Sequence, residues 1–106
     1  MDVKTQLRIA VSTGEVLMGS SQTLKAVKSG KAKLIILTSK CPKKLWEEVR
    51  TAADRLNIPV YVFEGDGKQL GAAAGKPFPV SALTVKKPGD SRILELAANA
   101  STTGES

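Results

Sequence analysis

The sequence contains no histidine and a single cysteine, Cys41, among its 106 residues. A disulfide framework and a Cys/His zinc site are therefore excluded, as is catalysis by an imidazole base. The longest apolar runs, residues 34–37 and 60–63, fall far short of the ~20 residues of a membrane-spanning helix. Residues 1–20 also lack the basic start and apolar block of a secretory signal. We therefore predict a soluble, cytoplasmic protein of a reducing compartment that does not associate with a membrane and binds no metal or cofactor.

Acidic residues are scarce in one part of the chain. Lys and Arg number 16 against 10 Asp and Glu, which gives a net charge of +6. No acidic residue lies between Val16 and Trp46, whereas residues 47–75 are richer in acids than in bases. Seven lysines lie in the first of these stretches: Lys25, Lys28, Lys31, Lys33, Lys40, Lys43 and Lys44. Segregated positive charge is typical of nucleic-acid binding, and the alternative is a lysine-rich solvated surface.

The spacing of apolar residues predicts strands that alternate with helices. Strands are expected at residues 15–18, 33–38, 59–63 and 81–86, the second buried on both faces because Leu-Ile-Ile-Leu does not alternate. One helix precedes the first strand and ends at Thr13-Gly14. A helix with a hydroxyl N-cap at Ser20 or Ser21 follows the first strand and stops at Ser29-Gly30.

A third helix begins with Pro42 in its first turn and carries four apolar residues on one face: Leu45, Val49, Ala52 and Leu56. A short helix follows Gly65-Asp66-Gly67, and a last one, capped by Asp90, carries Ile93, Leu94 and Ala97. This order favours one α/β domain, residues 1–98, with a largely parallel sheet and helices on both faces. Residues 99–106 are expected to form a flexible C-terminal tail.

Two predicted strand-to-helix junctions suit an anion. In Gly19-Ser20-Ser21-Gln22 the strand enters a helix whose free amides point outward, and Lys25 and Lys28, one helical turn apart, supply positive charge. The alternative is an ordinary capped helix with solvated lysines. No phosphate-binding P-loop or GxGxxG pattern is present.

In residues 39–44, three lysines surround the start of the third helix, where they oppose the helix dipole unless an anion approaches. The residues concerned are Ser39, Lys40, Lys43 and Lys44. Cys41 lies among them, either as a thiol whose pKa the lysines lower or, as we favour, as a small half-buried packing residue.

The third candidate is the loop before the last strand, in which Pro77 and Pro79 hold Phe78 in an extended segment. Phe78 is interpreted either as a platform on which an extruded base stacks or as a plug at the edge of the core. Loops that follow parallel strands gather at one edge of a sheet, and this loop joins them if the last strand runs in the opposite direction. Such a cluster suits folded RNA better than duplex DNA, because no basic recognition helix is available.

Several stretches together resemble the large-subunit ribosomal protein family called L-thirty-e, within the kink-turn RNA-binding superfamily. They cover nearly the whole chain in order: Gly14-Glu15-Val16-Leu17-Met18-Gly19, Lys31-Ala32-Lys33-Leu34-Ile35-Ile36, Ile58-Pro59-Val60-Tyr61-Val62-Phe63-Glu64-Gly65, Leu70-Gly71, Gly75-Lys76-Pro77-Phe78, Val80-Ser81-Ala82-Leu83, Pro88-Gly89-Asp90-Ser91 and Ile93-Leu94.

The resemblance implies a three-layer α/β/α sandwich around a central four-stranded mixed sheet. It also implies that the protein is not an enzyme and binds a sharply bent internal loop of ribosomal RNA beside other large-subunit proteins, as a monomer when isolated. Ser20, Ser21 and Gln22 would approach tandem G·A pairs, and Lys25 a phosphate. Lys40 stands where the family usually has asparagine, which implies a phosphate contact in place of a base-edge hydrogen bond. Phe78 and Val80 would pack on the extruded nucleotide.

Two other functions stay open at this point. The same scaffold serves kink-turn binding in other ribonucleoproteins, for RNA modification or tRNA processing. A doubly wound nucleotide sensor or enzyme is the alternative of another class, although the sequence offers it no glycine-rich phosphate loop and no evident acid–base group.

Overall fold

A computed structural model describes residues 2–96. It contains four α-helices: α1 (Val3–Thr13), α2 (Ser20–Lys28), α3 (Lys43–Leu56) and α4 (Gly67–Ala73). Its four strands are β1 (Glu15–Met18), β2 (Leu34–Thr38), β3 (Val60–Phe63) and β4 (Ala82–Lys87), and a 3₁₀ helix, Ile93–Leu96, follows. The predicted elements are therefore confirmed within this range, with three strands displaced by a single residue at one or both ends.

The sheet is mixed, and its strand order is β1-β4-β2-β3. Strands β2 and β3 are parallel, whereas β4 runs antiparallel to both β1 and β2. The expectation of a largely parallel sheet from element order was therefore wrong. The mixed sheet implied by the family resemblance is confirmed.

Helices cover both faces of the sheet, which gives the predicted α/β/α sandwich. In β2, which is buried along its whole length, Leu34 and Ile36 face the cluster formed with α1, α4 and the 3₁₀ helix. Ile35 and Leu37 face the cluster formed with α2 and α3. The absence of alternation in this strand thus reflects two cores, one on each side.

Three local predictions need correction. Leu56 is 42% exposed, although it follows the spacing of the buried face of α3. Up to Leu96, where the described residues end, the last helix is a 3₁₀ segment whose first amide, that of Ile93, donates to the Ser91 hydroxyl at 3.3 Å. Asp90 does not cap it; its own amide donates to the Thr13 hydroxyl at 2.8 Å. Ala97 and the proposed tail 99–106 lie outside the described residues.

Candidate nucleic-acid interface

The direction of β4 brings the three candidate turns to one end of the sheet. Because β1 and β2 are both antiparallel to β4, their carboxyl ends lie beside the start of β4. The Gly19 amide donates to the Ala82 carbonyl at 2.9 Å, and the Thr38 amide donates to the Ser81 carbonyl at 3.1 Å. We call the three turns, residues 19–22, 39–44 and 77–80, the loop edge.

Gly19 gives the first turn its shape. Its φ of 106° and ψ of 154° are in a region that residues with a side chain rarely adopt. A Cβ built on Gly19 would have no atom within 4 Å, so the backbone conformation, and not crowding, requires glycine. The space in front of the α2 N-terminus is therefore open to a ligand.

The helices that start at this end of the sheet differ in their caps. No side chain caps α2, whose N-cap is Gly19, or α3, whose N-cap is Pro42, among the described residues. The predicted hydroxyl N-cap of α2 was thus wrong: Ser20 and Ser21 lie within the first turn and are exposed. By contrast, Asp66 and Gln69 form a complete capping box on α4.

The predicted basic residues are exposed but do not all face the same way. Lys40, Lys43 and Lys44 are exposed at the start of α3, with no acidic residue in its first turn. Lys25 lines a groove beside β1 together with Gln22. Lys28 lines a different groove, between α2 and α3, which also contains Glu47, Glu48 and Arg55. The structure therefore separates Lys28 from the charge of Lys25.

Ser39 is partly committed to holding the loop edge together. Its hydroxyl accepts a hydrogen bond from the Gly65 amide at 3.1 Å and lies 3.3 Å from the Gly65 carbonyl. Its own amide donates to the Phe63 carbonyl at 2.9 Å. Sequence reasoning missed this link between the turns after β2 and β3, which adjoin because these strands are parallel neighbours.

The loop before β4 presents one aromatic ring to solvent. Phe78 is 50% exposed, so the interpretation of its ring as a plug for the core was wrong. The segment packs on α4: the Val80 amide donates to the Gly67 carbonyl at 2.8 Å, and the Phe78 carbonyl lies where a side chain on Gly71 would be. Two glycines four residues apart on one helix could have signalled this close approach of backbones.

Val80 has a different role from the one that the resemblance implied. Its side chain is 2% exposed and belongs to the core between the sheet and helices α1 and α4. It therefore cannot pack on a nucleotide, and the predicted apolar pair reduces to Phe78 with exposed Pro77 and Pro79 beside it.

The single thiol of the chain, Cys41, is partly buried at the start of the turn that leads into α3. Burial raises the pKa of the Cys41 thiol, which opposes its reading as an activated nucleophile and agrees with packing against the α2–α3 core. Glu64 and Asp66 are exposed beside Gly65, so the positive turns have an acidic neighbour after β3.

Among residues 2–96, no cluster of acidic or cysteine side chains has the arrangement of a metal site. Within the same range, no helix is long and apolar enough to cross a membrane.

Comparison with known proteins identifies the family. The profile of the ribosomal protein L7Ae/L30e/S12e/Gadd45 family matches residues 1–95. The large ribosomal subunit protein eL30 of Methanocaldococcus jannaschii is 49% identical over 91% of this chain and 87% of its own length. The eL30 of Methanothermobacter thermautotrophicus is 45% identical over 91% of this chain and 98% of its own.

A solved structure described as a protein of unknown function from Bacillus halodurans has a TM-score of 0.79 and 30% identity over 92% of this chain and 97% of its own. The predicted resemblance to L-thirty-e proteins is confirmed, and so is the prediction of a non-enzymatic protein, because the named relatives are ribosomal proteins. With its sandwich fold and these identities, the chain belongs to the ribosomal protein L7Ae/L30e/S12e/Gadd45 family.

Proposed function

We propose that this protein is a structural constituent of the large ribosomal subunit and binds a kink-turn in ribosomal RNA through the loop edge. Its place in the cell is then the cytoplasmic ribosome, where it contacts other large-subunit proteins, and it is a monomer when isolated. The observation that carries the proposal is the meeting, at one end of the sheet, of an uncapped helix N-terminus, exposed lysines and an exposed phenylalanine.

The dimensions of the loop edge fit a short bend of RNA. Neighbouring strands lie about 4.8 Å apart, so the turns after β1 and β2 are separated by about 10 Å across the start of β4. The turn that carries Phe78 leads into β4, which lies between β1 and β2 in the sheet. A bent strand can therefore contact the α2 amides, stack one base on Phe78 and bring a phosphate to the lysines of α3.

Each group at the loop edge has a distinct task in this proposal. The amides at the start of α2 and the side chains of Ser20, Ser21 and Gln22 donate to base edges or phosphates that enter the open space before Gly19. Phe78 stacks on an unpaired base, which stabilises the complex by about 1–3 kcal/mol. Lys25, Lys40, Lys43 and Lys44 neutralise phosphates.

Selectivity for a bent internal loop follows from the shape of the loop edge. The exposed ring of Phe78 requires an unstacked base, which a continuous duplex does not offer. The exposed acids Glu64 and Asp66 disfavour RNA beyond the β3 side. On the β3 side, the proposed footprint therefore ends at the turns of β1, β4 and β2.

The decisive experiment is sequencing of the RNA crosslinked to the protein in its native cells. We expect crosslinks in large-subunit ribosomal RNA at an internal loop with tandem G·A pairs, through peptides that contain Phe78 or residues 19–22. Recovery of guide RNAs or tRNA precursors would replace the ribosomal assignment by that of another ribonucleoprotein. Recovery of no RNA at all would overturn RNA binding itself.

A further inference from the structure

A groove leads away from the loop edge along the outer strand of the sheet. It has a volume of about 400 Å³ and lies between β1 and α2. Gln22 and Lys25 line it near the loop edge, and Lys31 and Lys86 line it at the other end. Leu17 contributes an apolar wall from β1, which is the edge strand next to β4.

The charge of this groove is one-sided. Three of its lining residues are lysines, and none is acidic within the part of the chain that the structure describes. Glu15 reaches Lys86 from the rim, with 3.2 Å between its carboxylate and the Lys86 ammonium group. The groove on the other side of α2 has mixed charge, since Glu47 and Glu48 line it together with Lys28 and Arg55.

We infer that the β1–α2 groove holds the phosphate backbone of one stem that flanks the bound kink-turn. This inference rests on the proposed RNA-binding function, because Gln22 and Lys25 belong both to the loop edge and to the groove. From Gln22 to Ser29 the helix covers about 10 Å, at 1.5 Å per residue. That length corresponds to about three nucleotide steps of a stacked strand at about 3.4 Å each. A strand that follows the groove away from the loop edge would bring phosphates of the flanking stem to Lys31 and Lys86.

The test uses two RNAs with the same internal loop, which differ in the length of the flanking stems. In one, both stems have about ten base pairs; in derivatives of the other, each stem in turn is cut to one base pair, which is shorter than the groove. Lys31→Ala is expected to weaken binding of the long-stem RNA about 3- to 10-fold and to lower the slope of log K against log salt by about 0.9, the value for one lost duplex phosphate contact. Binding of the RNA that lacks the stem in question is expected to stay within twofold.

Glu15→Gln is expected to change the affinity for the long-stem RNA in the opposite direction, and it is therefore a second, independent check. Removal of the carboxylate frees the Lys86 ammonium group for RNA, so long-stem binding is expected to strengthen about two- to threefold. Glu15 and Lys86 are both partly exposed, and a surface pair of this kind contributes little to folding. Lys4→Ala is the matched control, because it also removes one exposed lysine, but from α1, which lies on the other face of the sheet.

The outcomes separate the two proposals. Equal effects of Lys31→Ala and Lys4→Ala, or equal effects of Lys31→Ala on long and short stems, would overturn the groove while leaving kink-turn binding intact. Failure of the parent protein to bind either RNA would overturn both. The groove would be supported if Lys31→Ala lost affinity only for RNA in which one particular stem is long, and if Glu15→Gln gained affinity for the same RNA. That stem would then be the one that occupies the groove.

Discussion

Separate replacement of Phe78 and Val80 by alanine tests the proposed use of the loop edge most directly. The two residues are two positions apart, yet one is 50% exposed and the other 2%. If Phe78 stacks on an extruded base, Phe78→Ala should weaken kink-turn RNA binding by about 1–3 kcal/mol. That is a 5- to 150-fold rise in Kd. Val80→Ala should leave the affinity within about twofold, because its side chain does not reach the surface.

The effects on folding should have the opposite order. Val80→Ala removes two buried methyl groups and leaves a cavity, at a cost of about 2–3 kcal/mol. For a domain of this size, the melting temperature should fall by about 10–20 °C. Phe78 buries about half of a ring side chain, or about 100 Å², and its truncation should cost about 1–2 kcal/mol. A domain with a typical stability of 5–15 kcal/mol stays folded at 25 °C with either change.

The assay is a fluorescence anisotropy titration of a labelled kink-turn RNA at fixed salt and 25 °C, beside thermal melts of each variant. Phe78→Leu serves as the matched control, since it keeps an apolar side chain and removes the aromatic face. Its affinity should fall between those of the parent and Phe78→Ala. Equal affinity of Phe78→Ala and the parent, or an equal loss for Val80→Ala, would refute the stacking argument.

Three further changes test the rest of the loop edge. Lys25→Ala should make the negative slope of log K against log salt less steep by about 0.7–0.9. Lys28→Ala should change the slope less, because Lys28 lies beside the acids of α3. Equal slopes for the two variants would contradict the assignment of these lysines to different grooves. Gly19→Ala should lower the free energy of unfolding by about 1–3 kcal/mol in urea denaturation, because φ is positive there; an unchanged midpoint would contradict the conformational argument. Pro42→Asp should make α3 more stable than Pro42→Ser by about 0.3–1 kcal/mol, since its charge complements the helix dipole, and yet bind RNA more weakly. Melts and titrations of this pair measure both effects, and equal RNA affinity would exclude a phosphate at the α3 N-terminus.

Local patterns were sufficient to predict the elements but not the directions of the strands. Strand β1 was predicted with its observed bounds, and the run from Leu34 to Leu37 correctly indicated burial on both faces. Whether β4 runs with or against β2 depends on pairings such as Leu37 with Ala82, which are distant in sequence. The two-residue period of apolar side chains indicates which face of a strand is buried, but it does not indicate which strands pair with it or in which direction they run.

The misassigned side chains have similar physical explanations. Leu56 keeps the spacing of the buried face, but it is the last residue of α3, and its side chain lies beside Gly30 in the turn after α2. Val80 lies in a proline-rich segment without periodicity, where only packing against α4 decides which side chain turns inward. The parallel pairing of β2 and β3 agrees with the order of the elements, but the Ser39–Gly65 hydrogen bond joins residues that are 26 positions apart and depends on the register of the two strands.

The pattern of helix caps bounds the RNA footprint. A side-chain cap contributes about 0.5–2 kcal/mol, and Asp2 and Asp66 supply one to α1 and α4. Helices α2 and α3 have none, and α3 places Lys43 and Lys44 in its first turn, against its dipole. Position at this end of the sheet does not explain the difference, because α4 starts there too and is capped. Stability alone would favour capping all four helices; in the proposed complex, RNA phosphates would accept from the open amides of α2 and α3. At the start of α4, the Asp66 carboxylate already accepts from the Gln69 amide, so the proposed interface uses no phosphate there.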